Sequence, residues 1–164
     1  MKFTCSTTSL NKAIQTVQRA ISSKPTAPIF SGIHIIAAEN ILYVQAMDLN
    51  MAISCTVESN TEANGEIVVS AKHFSELMRK LPGETVTIIK NKEEKTISVK
   101  SAKSDFQLLL MNEDDYPKFP EFNPEKQIVL EDEKIKELIK KTIFSCSTDE
   151  ARPLFTGILV EISD

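Results

Sequence analysis

The stretch Glu66–Leu81, EIVVSAKHFSELMRKL, changes its period midway, and the order of elements on either side of that change decides the fold. Glu66–Ser70, rich in β-branched residues, reads as a strand. Ser70 then offers a helix cap, and Phe74, Leu77, Met78 and Leu81 recur at helical spacing on one face until Pro82-Gly83 stops the helix. Three further strands follow at Thr85–Lys90, Lys95–Ser101 and Ser104–Leu110. Upstream the same order occurs once already. A short strand at Lys2–Cys5 leads into the polar cluster Ser6–Ser9, which caps a helix carrying Leu10, Ala13, Ile14, Val17 and Ile21. After a loop bracketed by Pro25 and Pro28 come strands at Ile29–Ala37, Ile41–Asp48 and Met51–Val57, with turns at Glu39-Asn40 and Asp48–Asn50. Residues 1–110 are therefore two copies of one strand-helix-three-strand unit, an α+β arrangement, and Met111 to Pro124 reads as an acidic, proline-bearing linker.

A longer period lies over this one. Pro28-Ile29-Phe30-Ser31-Gly32-Ile33 returns as Pro153-Leu154-Phe155-Thr156-Gly157-Ile158, shifted by 125 positions, and Leu10, Ala13 and Ile14 correspond to Ile135, Leu138 and Ile139. The expected domains are a complete one over 1–125 and the beginning of a second over 126–164. From about Gln127 the second has a strand, a helix and one more strand, and it stops unfinished at Asp164.

The chain has 164 residues and is 41% hydrophobic, enough for one well-buried domain, and it shows neither a signal peptide nor a membrane-spanning run. Cys5, Cys55 and Cys146 are odd in number and set in apolar patterns, which suits buried hydrophobes in a reducing, cytoplasmic compartment. Net charge is −4, yet the charge is segregated. With helices taken as 7–21, 71–81 and 133–146, Lys12, Arg19, Lys72, Arg79, Lys80, Lys134, Lys136, Lys140 and Lys141 face only Glu76, Glu133 and Glu137. The helices carry +6 and the rest −10. Part of this follows from helix propensity; the functional reading is that helix faces converge on a polyanion. With no tryptophan and no aromatics among the lysines, base stacking and base readout are disfavoured. Phosphate loops, paired-histidine metal motifs, Cys-x-x-Cys and nucleophile elbows do not occur, so no catalytic residue, metal site or cofactor is expected. His34 and His73 read as structural, and Glu113-Asp114-Asp115 as a solvated charge run.

The residues resemble the bacterial DNA polymerase III beta subunit, the DNA sliding clamp. The likeness lies in Met1-Lys2-Phe3-Thr4, Lys24-Pro25-Thr26-Ala27-Pro28-Ile29, Asp48-Leu49, Ala71-Lys72 through Arg79-Lys80-Leu81-Pro82, Asp115-Tyr116-Pro117 and Ser147 to Gly157, and it covers essentially the whole chain. It implies clamp domains of two such units with helices on one side of antiparallel sheets. Three domains per chain and two chains per ring would enclose duplex DNA without sequence readout and tether the polymerase without catalysis. Lys24 and Arg152 would touch DNA phosphates, with Asp149 and Glu150 able to hold Arg152 in a local ion pair. Lys12, Lys72, Arg79 and Lys80 would add to a general positive field. Phe106 and Leu108, near the helix bearing Leu77 and Leu81, would lie at the ring-closing interface, and Phe155 at the wall of a partner-peptide pocket. Implied partners of the full-length protein are DNA polymerase III, the clamp loader and a second copy, whereas the 164-residue chain itself is expected to be monomeric. The competing reading is a free-standing clamp-fold module that regulates through protein contacts.

Overall fold

A computed structural model of the chain describes residues 1–22, 24–91, 93, 95–120, 129–149 and 151–161. It divides into two compact units, Met1–Glu121 and Phe122–Asp164. The expected domain boundary at 125/126, Gln127, and the terminal residues up to Asp164 lie outside the described residues.

The first unit runs β1 (Lys2–Ser6), α1 (Thr7–Val17), β2 (Gly32–Ala38), β3 (Ile41–Met47), β4 (Ala52–Ala63), β5 (Gly65–Ser70), α2 (Ala71–Lys80), β6 (Thr85–Asn91), β7 (Thr96–Ser101) and β8 (Ser104–Met111). All strand pairs are antiparallel and close into the order β1-β4-β3-β2-β5-β8-β7-β6. The two copies interlock. β1 pairs with β4 of its own copy and with β6 of the other, Lys2↔Ile89 to Ser6↔Thr85, while β5 pairs with β8 of its own copy and with β2 of the other, Gly32↔Ser70 to Ala37↔Gly65.

Each helix follows its strand at once. Ser6 caps α1 by accepting from the Ser9 N–H at 3.3 Å, whereas Ser70 stands at the N-cap of α2 without a capping hydrogen bond, so only one of the two expected serine caps acts. The apolar helix faces, Leu10, Ile14 and Val17 on α1 with Phe74 and Met78 on α2, are at most 1% exposed. They pack into one core with Phe3, Ile33, Ile35, Leu42, Val44, Ile88 and Ile97. The helices are antiparallel neighbours. Gln18 Nε2 donates to the Ala71 carbonyl at 3.1 Å, joining the end of α1 to the start of α2, and the Thr7 N–H donates to the Glu84 carbonyl at 2.8 Å at the opposite end.

Three expectations change. Ile29–Ser31 belong to a 3-10 turn over Pro28–Ser31, because Pro28 fixes φ and lacks a donor, and β2 begins at Gly32. β4 continues past Val57 to Ala63: its first half pairs with β3, then Ser59–Ala63 cross to β1. The Met111–Pro124 stretch is not a free linker as far as its described part, to Pro120, extends. Glu113 is paired, its carboxylate lying 2.6 and 2.8 Å from Lys90 Nζ, which also donates to the Glu66 carbonyl at 3.1 Å. Tyr116 is buried, its ring centroid 5.0 Å from that of His34, and His34 Nε2 lies 2.8 Å from Glu66 Oε2. A cation across the sheet and an aromatic anchor thus fasten this segment, and His34 is structural.

The second unit contains α3 (Asp132–Thr142) and 3-10 turns at Ile143–Ser145 and Pro153–Thr156. Neither expected strand forms among its described residues, since a strand exists only where a neighbour takes its hydrogen bonds. Its apolar residues are correspondingly uncovered: Phe155 is 63% exposed where Phe30, its counterpart in the repeat, is 8%. The glycines tell the same story. A Cβ on Gly32 would meet Val68 Cγ1 at 2.7 Å and the Ile29 carbonyl at 3.0 Å, whereas one on Gly157 meets nothing within 4 Å.

Gly32→Ala should therefore cost about 1–3 kcal/mol in urea unfolding, and Gly157→Ala should stay within about 0.5 kcal/mol of the parent. Burial also pushes the Tyr116 phenol up to about 12. With the folded value raised above the ordinary value of 10.0, its stabilising contribution is fully present below pH 10 and is lost as pH rises through about 12. Phenolate absorbance should show a tyrosine ionising in that late window, and Tyr116→Phe should flatten the accompanying fall in stability.

Candidate nucleic-acid interface

The seam between α1 and α2 is polar on its outward side. Near the end of α1, Gln15 and Gln18 face Lys72, Ser75, Glu76 and Arg79 around an open depression. Near its start, Thr7, Asn11, Lys12 and Gln15 face Arg79 and Gly83 around a second. On α2 the spacing 72, 75, 76, 79 places those side chains on one face, opposite the buried Phe74 and Met78. Lys12, Lys72 and Arg79 are exposed and converge on this seam; Arg19 and Lys80 are exposed but line neither depression.

These cations are uncommitted, as are Lys95, Lys103, Lys118, Lys140 and Arg152 among the described residues. Among the described residues, Lys12, Arg19, Lys24, Lys72, Arg79 and Lys80 have no ion pair, whereas Lys2 pairs with Glu62, Lys90 with Glu113 and Lys100 with Asp105. α3 behaves differently from the other helices. As folded it begins at Asp132, so four lysines share it with three acids, and Lys134, Lys136 and Lys141 bind Glu131, Asp132 and Glu137 within about one turn. The helical positive charge resides on the first two helices.

Lys24 is an exposed loop residue whose N–H donates to Ser22 Oγ at 3.2 Å. Arg152, in the second unit, is exposed and makes no ion pair with Asp149, whose carboxylate accepts from the Ala151 N–H at 3.0 Å; Glu150 lies outside the described residues. Phe155 sits in the 3-10 turn Pro153–Thr156, its carbonyl accepting from the Ser147 N–H at 2.8 Å.

β8 pairs with β7 along its length but with β5 only at Leu110 and Met111, which leaves the other edge of Ser104–Leu109 unpaired among the described residues. Phe106 is 40% and Leu109 77% exposed beside that edge, while Leu108, Leu77 and Leu81 are partly buried against the core. Sequence reasoning missed the open edge, which depends on how far one ladder runs. It also missed the neutral seam residues Thr7, Asn11, Gln15 and Gln18, which a census of charges passes over. No described group of histidine, cysteine and carboxylate side chains could hold a metal, and no described helix is long and apolar enough to cross a membrane. Burial pushes the Cys5 thiol up to about 12, so it is an inert core thiol.

Two interlocked strand-helix-three-strand copies, with paired helices carrying cations that have no ion pair, have the architecture of a clamp domain. The sequence model of the DNA polymerase III beta subunit N-terminal domain matches residues 1–120, and the chain belongs to that family. It is 34% identical to the beta sliding clamp of Bacillus subtilis, over 96% of this chain and 44% of that one. The crystal structure of the DNA polymerase sliding clamp from Bacillus subtilis superposes with a TM-score of 0.88 at 32% identity, covering 94% of this chain and 42% of that one. The beta subunit from the DNA polymerase of Streptococcus pyogenes does so with a TM-score of 0.87 at 26% identity, covering 94% and 42%. The chain thus spans less than half the length of these relatives.

Proposed function

We propose that the chain serves in a DNA sliding clamp, which encloses duplex DNA without reading its sequence and holds the replicative polymerase at the primer end. Residues 1–125 supply one complete clamp domain and 126–164 begin the second. The observation that carries this reading is the contrast in charge pairing: Lys12, Lys72 and Arg79 stand without ion pairs along the seam of α1 and α2, while the strand lysines Lys2, Lys90 and Lys100 and three of the four lysines of α3 are paired locally. Unpaired cations on a rigid surface attract phosphates wherever the duplex presents them, and exchange of counterions lets the contact move along it. The protein needs no chemistry of its own. Confinement keeps a tethered enzyme at high effective concentration near its substrate.

In this reading Lys24 and Arg152 add phosphate contacts from loops, and Lys12, Lys72, Arg79 and Lys80 supply the field. The open edge of β8 with Phe106 and Leu108, backed by Leu77 and Leu81, closes the ring onto a second copy, and Phe155 contributes to the seat of partner peptides. DNA polymerase III and the clamp loader are the partners of the full-length protein, and its compartment is the cytoplasm.

In a ring-forming clamp that carries this sequence, Lys24→Ala should weaken duplex binding uniformly across sequences and lower the salt slope by about one, because one phosphate contact is lost; an unchanged slope would reduce Lys24 to an ordinary surface lysine. For the 164-residue chain itself, sedimentation should show mainly monomer, duplex binding should be weak, and primer extension should give no longer products than polymerase alone. A stable closed oligomer that retains circular DNA would refute that expectation.

A further inference from the structure

β2, β3 and β4 turn every second side chain away from the core that holds α1 and α2. The ladders set these outward residues in rows: His34 beside Gln45 and Ser54, Ile36 beside Tyr43 and Thr56, and Ala38 beside Ile41 and Glu58. The chain itself covers the first row. Tyr116, from the segment after β8, lies on His34, and Glu113 of the same segment is paired with Lys90. The next two rows stay partly bare, with Tyr43 37% and Ile41 38% exposed and Ile36 and Ala38 half-buried. Because the four side chains adjoin across two strands, they form one apolar surface instead of isolated exposed residues.

The charge around this surface has one sign. From Pro25 to Ala71 the sequence contains no lysine or arginine but five carboxylates, Glu39, Asp48, Glu58, Glu62 and Glu66. Glu58 lies beside Ile41, and Glu39 is in the turn joining β2 to β3; both are exposed and without an ion pair among the described residues. That turn is fixed. The Ser59 N–H donates to the Asn40 carbonyl at 2.8 Å and the Thr61 N–H to Asn40 Oδ1 at 3.0 Å. Glu39 has a φ of 49°, a left-handed conformation that asparagine or glycine adopts more easily, so an acid is held here against the turn's own preference. DNA, an anionic lipid surface or a second copy of this face would each bring negative charge onto Glu39 and Glu58. The covered row shows what the sheet accepts: a crossing segment with an aromatic anchor on the strands and an ion pair beside it. On the bare rows the acids belong to the sheet, so the incoming segment supplies the cations.

We propose that Ile36, Ala38, Ile41 and Tyr43, with Glu39 and Glu58, form a docking surface for a segment of a partner protein in which basic residues flank apolar ones. It lies on the side of the sheet away from α1 and α2, so it stands whether or not those helices face DNA. The test is a titration of the 164-residue chain, followed through its backbone amides by NMR, with three short peptides: lysine alternating with leucine, lysine with serine, and glutamate with leucine. The lysine–leucine peptide should shift Ile36, Ile41, Tyr43 and Glu58. Tyr43→Ser should weaken that binding about fivefold, through loss of the aromatic contact. Glu39→Lys with Glu58→Lys should abolish it and bring a response to the glutamate–leucine peptide, while unmoved core amides of Leu10 and Phe74 show that the variant folds. An equal response to the lysine–serine peptide would reduce the effect to overall charge and overturn the docking surface. Shifts spread over other carboxylates of the chain, or no shifts, overturn it as well. Movement of the same amides when the protein alone is concentrated would assign the face to a second copy and overturn the basic partner.

Discussion

Each copy of the repeated unit begins with a strand that the other copy must help to satisfy. β1 gives one edge to β4 and the other to β6, and β5 gives one edge to β8 and the other to β2. Neither copy can pair its own first strand on both edges, so backbone hydrogen bonding forces the two to fold as one domain. The helices follow from this exchange. Each leaves its first strand at once, and since the two strands occupy equivalent places in the closed sheet, the helices come to lie side by side and antiparallel. Their apolar faces are committed to a shared core, which leaves the opposite side as a continuous polar surface.

On that surface the arrangement of charge matters more than its total. The chain is acidic overall, at −4, yet some of its acids are spent locally: Glu62 on Lys2, Glu113 on Lys90, Asp105 on Lys100, and three acids on the lysines of α3. Such exposed pairs add little stability. Their effect is to neutralise the strand lysines and most of those of α3, while Lys12, Lys72 and Arg79 keep their field at short range along the seam of α1 and α2.

The duplicated order of elements could be read from the sequence because each copy signals it by local means, a β-branched run, a polar cap cluster and a helical apolar face. The relation of Pro28–Ile33 to Pro153–Ile158 was equally plain as a pattern of residues. What escaped is whatever depends on distant neighbours. Ser59–Ala63 falls outside the strand expected to end at Val57 and is strand because β1 lies beside it. Ile29–Ser31 looks like strand and is a turn because the hydrogen-bonding neighbours begin at Gly32. Glu113 looks solvated until Lys90 of β6 is seen to reach it. Of the candidate interface, the charged members were visible as a count, whereas Thr7 and Asn11 drew no notice because their place beside the seam has no signature in one sequence.

The position of β1 also determines how the domain carries mechanical load. Lys2–Ser6 lies between two antiparallel neighbours and is hydrogen-bonded along both edges, so a pull applied along the chain at Met1 acts in shear on both rows together instead of peeling one bond after another. Forced extension is governed by the rate of crossing the unfolding barrier, and simultaneous rupture makes that crossing slow. Tension entering through the first strand is passed to Ala52–Ala63 and Thr85–Asn91, which belong to different copies of the repeat. The interlock that satisfies the backbone also makes this domain a stiff link for whatever is tethered through it.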